Sequence, residues 1–165
     1  TPEARLDQSS TYSAIQELQM FMEYFPGSKR KTEAQIMIFS LQDKLVEKEF
    51  LTAKLYYDLG TYTGNASYTA DMRVNGNNYL ACITTAQNAL KDYPYTTMRE
   101  EISMLLLRAK YQLGSESVLE KKEERMREAI DEYYAFKNEF PESKHMKEVE
   151  SIYKNASKYV KELNE

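Results

Sequence analysis

AIDEYYAFKNEFPES, residues 129 to 143, decides the fold, because nearly the same phrase closes two other segments: AIQELQMFMEYFPGS at 14 to 28 and AQNALKDYPYT at 86 to 96. Each runs through a helical pattern to an aromatic residue and a proline. A Ser or Thr follows two residues later, able to start the next helix. A phrase that recurs with its punctuation is the mark of a repeat array. Pro26 and Pro94 stand 68 residues apart, twice the roughly 34-residue period of one class of helix-pair repeat. Pro94 and Pro141 stand 47 apart, a single pair with a longer arm. The array is irregular and has diverged.

Six helical stripes are legible and no strand is. Ile15, Leu18, Met22 and Phe25 recur at three- and four-residue steps and end at Pro26-Gly27. The second stripe runs from about Arg30 to Leu59 through Ala34, Met37, Ile38, Leu41, Leu45, Ala53 and Tyr56, with neither Gly nor Pro before Gly60. At ~1.5 Å per residue it predicts one helix of about 45 Å. Residues 61 to 78, TYTGNASYTADMRVNGNN, have no steady period and are rich in turn residues, which predicts a loop or insertion. A third helix, about Tyr79 to Tyr93, carries Leu80, Ile83, Ala86 and Leu90, and Pro94 ends it. A fourth, about Thr97 to Leu113, carries Ile102, Leu105, Leu106, Ala109 and Leu113 and is expected to stop at Gly114. The fifth, about Val118 to Phe140, carries Met126, Ile130, Tyr133, Tyr134 and Phe140, its EKKEER run facing solvent. The sixth, about Lys144 to Leu163, carries Val149, Ile152, Ala156, Tyr159 and Leu163 and caps the array. The fold class this predicts is all-α: a TPR-like (tetratricopeptide) α-solenoid of about six antiparallel helices, one domain over 1–165, with a groove and an insertion loop.

Composition removes several function classes. A formal charge of −4 offers no basic stripe for a phosphate backbone, so nucleic acid is not an expected partner. The apolar runs are too short to span a bilayer. The chain starts Thr1-Pro2 without Met, as a processed product or excised fragment would, so a signal or anchor upstream is not excluded. Cys82, the single cysteine, sits in YLACI and reads as a buried small hydrophobe. His145, the single histidine, has no metal-ligand spacing around it and reads as a solvated surface residue. Glu100-Glu101 and Glu123-Glu124 are ordinary carboxylates of exposed helix faces in a chain that is 29% charged, and no nucleophile elbow, phosphate loop, HExxH or CxxC is present. Neither a catalytic residue, a metal nor a cofactor is implied. The 14 tyrosines suit a groove, where a ring lies on apolar packing and its hydroxyl faces out.

YYDLGTY at 56 to 62, YLACITTAQNALKDYPYT at 79 to 96 and REEISMLLLRAKYQLG at 99 to 114 stand in an order and spacing that resembles the C-terminal TPR repeats of the BamD family of outer-membrane assembly lipoproteins, also called YfiO. The positions that carry it are Tyr56, Tyr57, Gly60, Tyr62, Tyr93, Pro94, Thr96, Tyr111, Leu113 and Gly114; AIDEYYAFKNEFPESK is similar to a further repeat, and the fifth helix resembles versions of the family in Bacteroidetes. The resemblance implies the C-terminal part of a longer lipoprotein, held by an N-terminal lipid anchor, absent from this chain, at the periplasmic face of the bacterial outer membrane. It implies a non-catalytic scaffold, a monomer within a complex, that docks the POTRA domains of a BamA homologue and serves unfolded outer-membrane proteins. Where many members have Asn-Arg, with the Arg pairing to an acidic POTRA residue, this chain has Thr84-Thr85, so that ion pair cannot form.

Tyr62, Tyr79, Tyr95, Met98, Arg99 and Arg108 are the expected partner contacts, near inter-repeat turns or on a polar face beside aromatics. Two other readings compete. One is a TPR-like periplasmic adaptor holding extended peptides in its groove, which would need ordered Asn, Lys or Arg clamps that do not recur here. The other is the helical domain of a cell-wall lytic enzyme, for which no glutamate stands in a catalytic setting.

Overall fold

The computed structural model describes residues 2–62 and 77–162. Six helices fill them: α1 (Ser9–Tyr24), α2 (Lys31–Leu59), α3 (Asn78–Asp92), α4 (Arg99–Ser115), α5 (Leu119–Glu139) and α6 (Met146–Glu162), with no strand among the described residues. The protein is an all-α, TPR-like solenoid.

The three proline phrases fold into one turn made three times. The residue before each proline cannot stay helical, because the proline ring crowds its backbone. Phe25, Tyr93 and Phe140 accordingly leave the helix at φ −125, −128 and −127°. Their carbonyls accept from the N–H of Ser28, Thr96 and Ser143 at 3.0, 3.2 and 3.1 Å. The hydroxyl oxygens of those three residues then accept from the N–H two positions on, in Arg30, Met98 and His145 (3.2, 3.2 and 3.0 Å). The Ser or Thr thus prepares the next helix start, as the sequence suggests.

Each helix packs on its neighbour in the chain, and α2, α4 and α6 also touch one another in order. Among the described residues α1, α3 and α5 make no such mutual contact, so the even-numbered helices form one layer and the odd-numbered ones the other. The repeat unit is therefore α2 with α3, then α4 with α5, each closing on its proline turn.

Helix α4 is shared by both main cores. Ile102, Leu105, Leu106, Ala109 and Leu113 join Val46 and Ala53 of α2 and Cys82, Ile83 and Ala86 of α3. Met104 and Leu107, on its other side, join Tyr133 and Phe136 of α5 and Val149 and Ile152 of α6. A smaller cluster, Ile15, Ile38 and Leu45, holds α1 to the first half of α2.

Several expectations need correction. Phe25, Met37 and Leu80 lie on their stripes yet are exposed; Phe25 has already left α1 at the proline turn, and Met37 borders an open cleft against Leu18 and Phe21 of α1. Tyr134 is half exposed on α5. Gly114 does not stop α4; it is buried in the last turn, where an added Cβ would stand 3.1 Å from Met126 Sδ, so it permits the close approach of α5. Gly60 does end α2, at φ 53°, where an added Cβ would come within 2.8 Å of the Tyr79 hydroxyl. Asn78 ties the start of α3 back to this point, its Nδ2 donating to the carbonyls of Gly60 (3.0 Å) and Tyr62 (2.9 Å). The expected insertion at 61–78 lies, over 63–76, outside the described residues, as does Leu163.

Candidate functional site

The α3–α4 turn does not float beside α2; it is bolted to its middle. Asp43 reaches across 53 residues of sequence to accept from Thr96 Oγ1 (2.8 Å), and from Thr97 N (3.3 Å) and Oγ1 (2.8 Å). Thr96 is buried and Thr97 exposed, so the carboxylate seals the turn from the inside out. The matching turn between α5 and α6 uses Ser143, whose hydroxyl donates to Glu100 of α4 at 2.7 Å.

A groove of about 720 Å³ opens where this turn meets the α1–α2 hairpin. Ile38 and Val46 form its buried apolar floor, Phe39 and Tyr95 stand at its walls, and the amides of Gln19, Gln35 and Gln42 line it. Tyr93 shares the wall; burial, reinforced by the neighbouring Tyr12, pushes its hydroxyl pKa up, so it stays a neutral donor. Apolar walls with uncharged amides can hold an extended backbone or an aromatic side chain.

The structure brings three of the six expected contacts together. Tyr95 is 88% exposed on the turn. Met98 follows it, half-buried against the core. Arg99 begins α4, donates from Nη1 to the Pro94 carbonyl (3.3 Å) and forms an ion pair with Glu139. Arg108 stands nine residues on, about 13 Å along α4, and grips both oxygens of Glu148 at 2.6 Å. That bidentate pair holds Glu148 below the usual carboxylate range and Arg108 above its own. Both arginines therefore face partners inside the protein. Tyr62 is exposed, but at the opposite edge. Tyr79 is only 9% exposed, its ring edge-on to Tyr57 and its hydroxyl donating to Glu116 at 3.3 Å. It is a core residue, because it fills the space that Gly60 leaves open. Thr84 is exposed and Thr85 half-buried on α3.

Sequence reasoning missed Asp43, Phe39 and the three glutamines. Nothing local marks Asp43, whose partners lie a repeat away; Phe39 carries a weak signal as an aromatic beside, not on, the apolar stripe.

No reactive constellation forms around these groups. Glu101 pairs with Lys144 at 2.7 Å, and this contact, with His145, lowers its pKa. His145 is not freely solvated: its side chain is 17% exposed and Nε2 lies 3.3 Å from Glu101 Oε1, because the α5–α6 turn folds it onto α4. Cys82 is fully buried, which, with the Asp58 charge, pushes its thiol up to about 12. Among the described residues no three His, Cys, Asp or Glu side chains are grouped to hold a metal ion, and no helix is long and apolar enough to cross a membrane.

Residues 2–75 match the YfiO family model, described as an outer membrane lipoprotein. The match agrees with the family resemblance read from the sequence, although of the three stretches that carry that reading only YYDLGTY falls inside it. No curated protein matches the chain.

Proposed function

We propose, on the match to the outer-membrane lipoprotein family, that this chain is a non-catalytic scaffold of the outer-membrane β-barrel assembly machinery that docks the POTRA domains of a BamA homologue. The observation that supports it most is Tyr95. It is a large aromatic ring, 88% exposed, carried on a turn that three hydrogen bonds to Asp43 hold, so docking it costs little backbone entropy. Met98 and the Arg99–Glu139 pair extend that contact on one side, and Phe39 across the groove on the other. With Thr84-Thr85 on α3, the docking relies on this aromatic turn rather than on an arginine from that helix.

The test is a titration of the purified chain with the POTRA array of the BamA homologue from the same organism. Saturable binding is expected, weakened at least about thirtyfold by Tyr95→Ala, a loss of hot-spot size, with the helical circular dichroism unchanged. The absence of binding to a well-folded array would overturn the reading. One feature favours a second: the amide-lined groove suits an adaptor for extended peptides. A peptide that binds the chain and is displaced by Gln35→Ala or Phe39→Ala, in a chain indifferent to POTRA domains, would select it.

A further inference from the structure

Asp43 meets the α3–α4 turn twelve residues into α2, so the α1–α2 hairpin projects about 18 Å beyond that turn at ~1.5 Å per residue. Its tip has a composition unlike the rest of an acidic chain. Tyr24 and Phe25 are 75% and 59% exposed there, with Met20 also exposed one turn back along α1. Lys29, Arg30 and Lys31 follow in succession, all exposed, in a chain of net charge −4. Among the described residues none of the three makes an ion pair. They also stand at the start of α2, where the positive end of the helix dipole disfavours cations. Glu33, in the first turn, is the one charge that the dipole favours. Folding therefore gives no account of three adjacent cations beside two exposed aromatic rings.

We infer that this tip is a contact for an anionic lipid surface: Tyr24 and Phe25 enter the boundary between headgroups and acyl chains, and Lys29, Arg30 and Lys31 are drawn to the headgroup phosphates. A tyrosine, with its one polar end, settles at that depth, a phenylalanine ring beside it adds apolar area on the acyl side, and clustered basic residues bind anionic leaflets within a Debye length of the surface. On the proposed function, which rests on the match of residues 2–75 to the outer membrane lipoprotein family model, a bilayer is within reach. The inference goes beyond POTRA docking, which uses the α3–α4 turn, and either can fail alone.

The test is co-sedimentation of the chain with vesicles of phosphatidylcholine and of phosphatidylcholine mixed equally with phosphatidylglycerol, at low salt. Binding to the mixed vesicles and not to the neutral ones is expected. Each cation removed lowers the partition coefficient about fivefold, so the triple variant Lys29→Gln, Arg30→Gln, Lys31→Gln should lose about a hundredfold. Tyr24→Ser, at a side chain in open solvent, should lose severalfold with an unchanged thermal melt. Four results each overturn the inference: no binding to anionic vesicles, equal binding to both kinds, indifference to the triple change, or indifference to Tyr24→Ser. Soluble polyglutamate serves as a competitor. If the chain binds it through the three cations and ignores the vesicles, the tip recognises an acidic polypeptide instead.

Discussion

Replacing Asp43 by alanine should loosen the α3–α4 turn without unfolding the solenoid. The carboxylate accepts three hydrogen bonds, one from a buried threonine and two from an exposed one. A bond to an ionised group contributes about 1.5–3 kcal/mol where it is shielded and much less in open water. The Thr96 bond therefore dominates, and Asp43→Ala should cost about 2 kcal/mol. For a chain of this size that lowers Tm by about 4–8 °C. Thermal and urea melts followed by circular dichroism measure it. A double-mutant cycle with Thr96→Val isolates the pair, because the loss of the hydrogen bond that Thr96 Oγ1 accepts from Met98 N–H cancels within the cycle. The coupling should exceed about 1 kcal/mol. A loss in Asp43→Ala below about 0.5 kcal/mol, or single effects that simply add, would refute the idea that Asp43 fixes this turn.

Gly60→Ala should destabilise by about 1–3 kcal/mol, since the residue sits at φ 53° with the Tyr79 hydroxyl in the space of its Cβ; a melt unchanged from the parent chain would count against it. Cys82, buried with its thiol pushed up to about 12, should react with a thiol reagent at pH 8 only as fast as the native chain opens, so that labelling accelerates with denaturant. The folded pKa of Glu148 is depressed by Arg108, so the stability from this pair is present above the unfolded carboxylate value and is lost as pH falls through the lower, folded one. Glu148 is nearly half exposed, so screening limits the contribution to under about 1 kcal/mol. Acid titration of Glu148→Gln should accordingly show a slightly shallower fall below about pH 4 than the parent, and an identical fall would mean that the pair adds nothing.

The helices were legible because their punctuation is local. Each proline disfavours helix at the residue before it, and the hydroxyl of each following Ser or Thr holds the turn that leads into the next helix, so a few consecutive residues carry the instruction. The faces were harder to read. A stripe says which residues share a side of a helix, not how deeply that side is covered, and so Met37 and Leu80 stay exposed on stripes whose members Ile38 and Ile83 are buried. Gly114 misled for the opposite reason: a glycine near a helix end resembles a stop signal, but this one is required by Met126, a residue of the following helix. At the candidate site Tyr95 could be found as an aromatic on a turn. The engagement of Arg99 with Glu139 and of Arg108 with Glu148 could not, since each pair spans 40 residues and depends on how α4 rests against α5 and α6.

Because α4 belongs to both main cores while α1 is held by one small cluster, amide protection should be graded along the chain rather than uniform. The backbone of α4 can exchange its hydrogens only when both cores open, whereas α1 can peel from α2 alone. The projecting hairpin is thus the compliant end of the molecule and the α3–α4 turn its stiff one, which lets the protein yield at one contact while staying in register at the other.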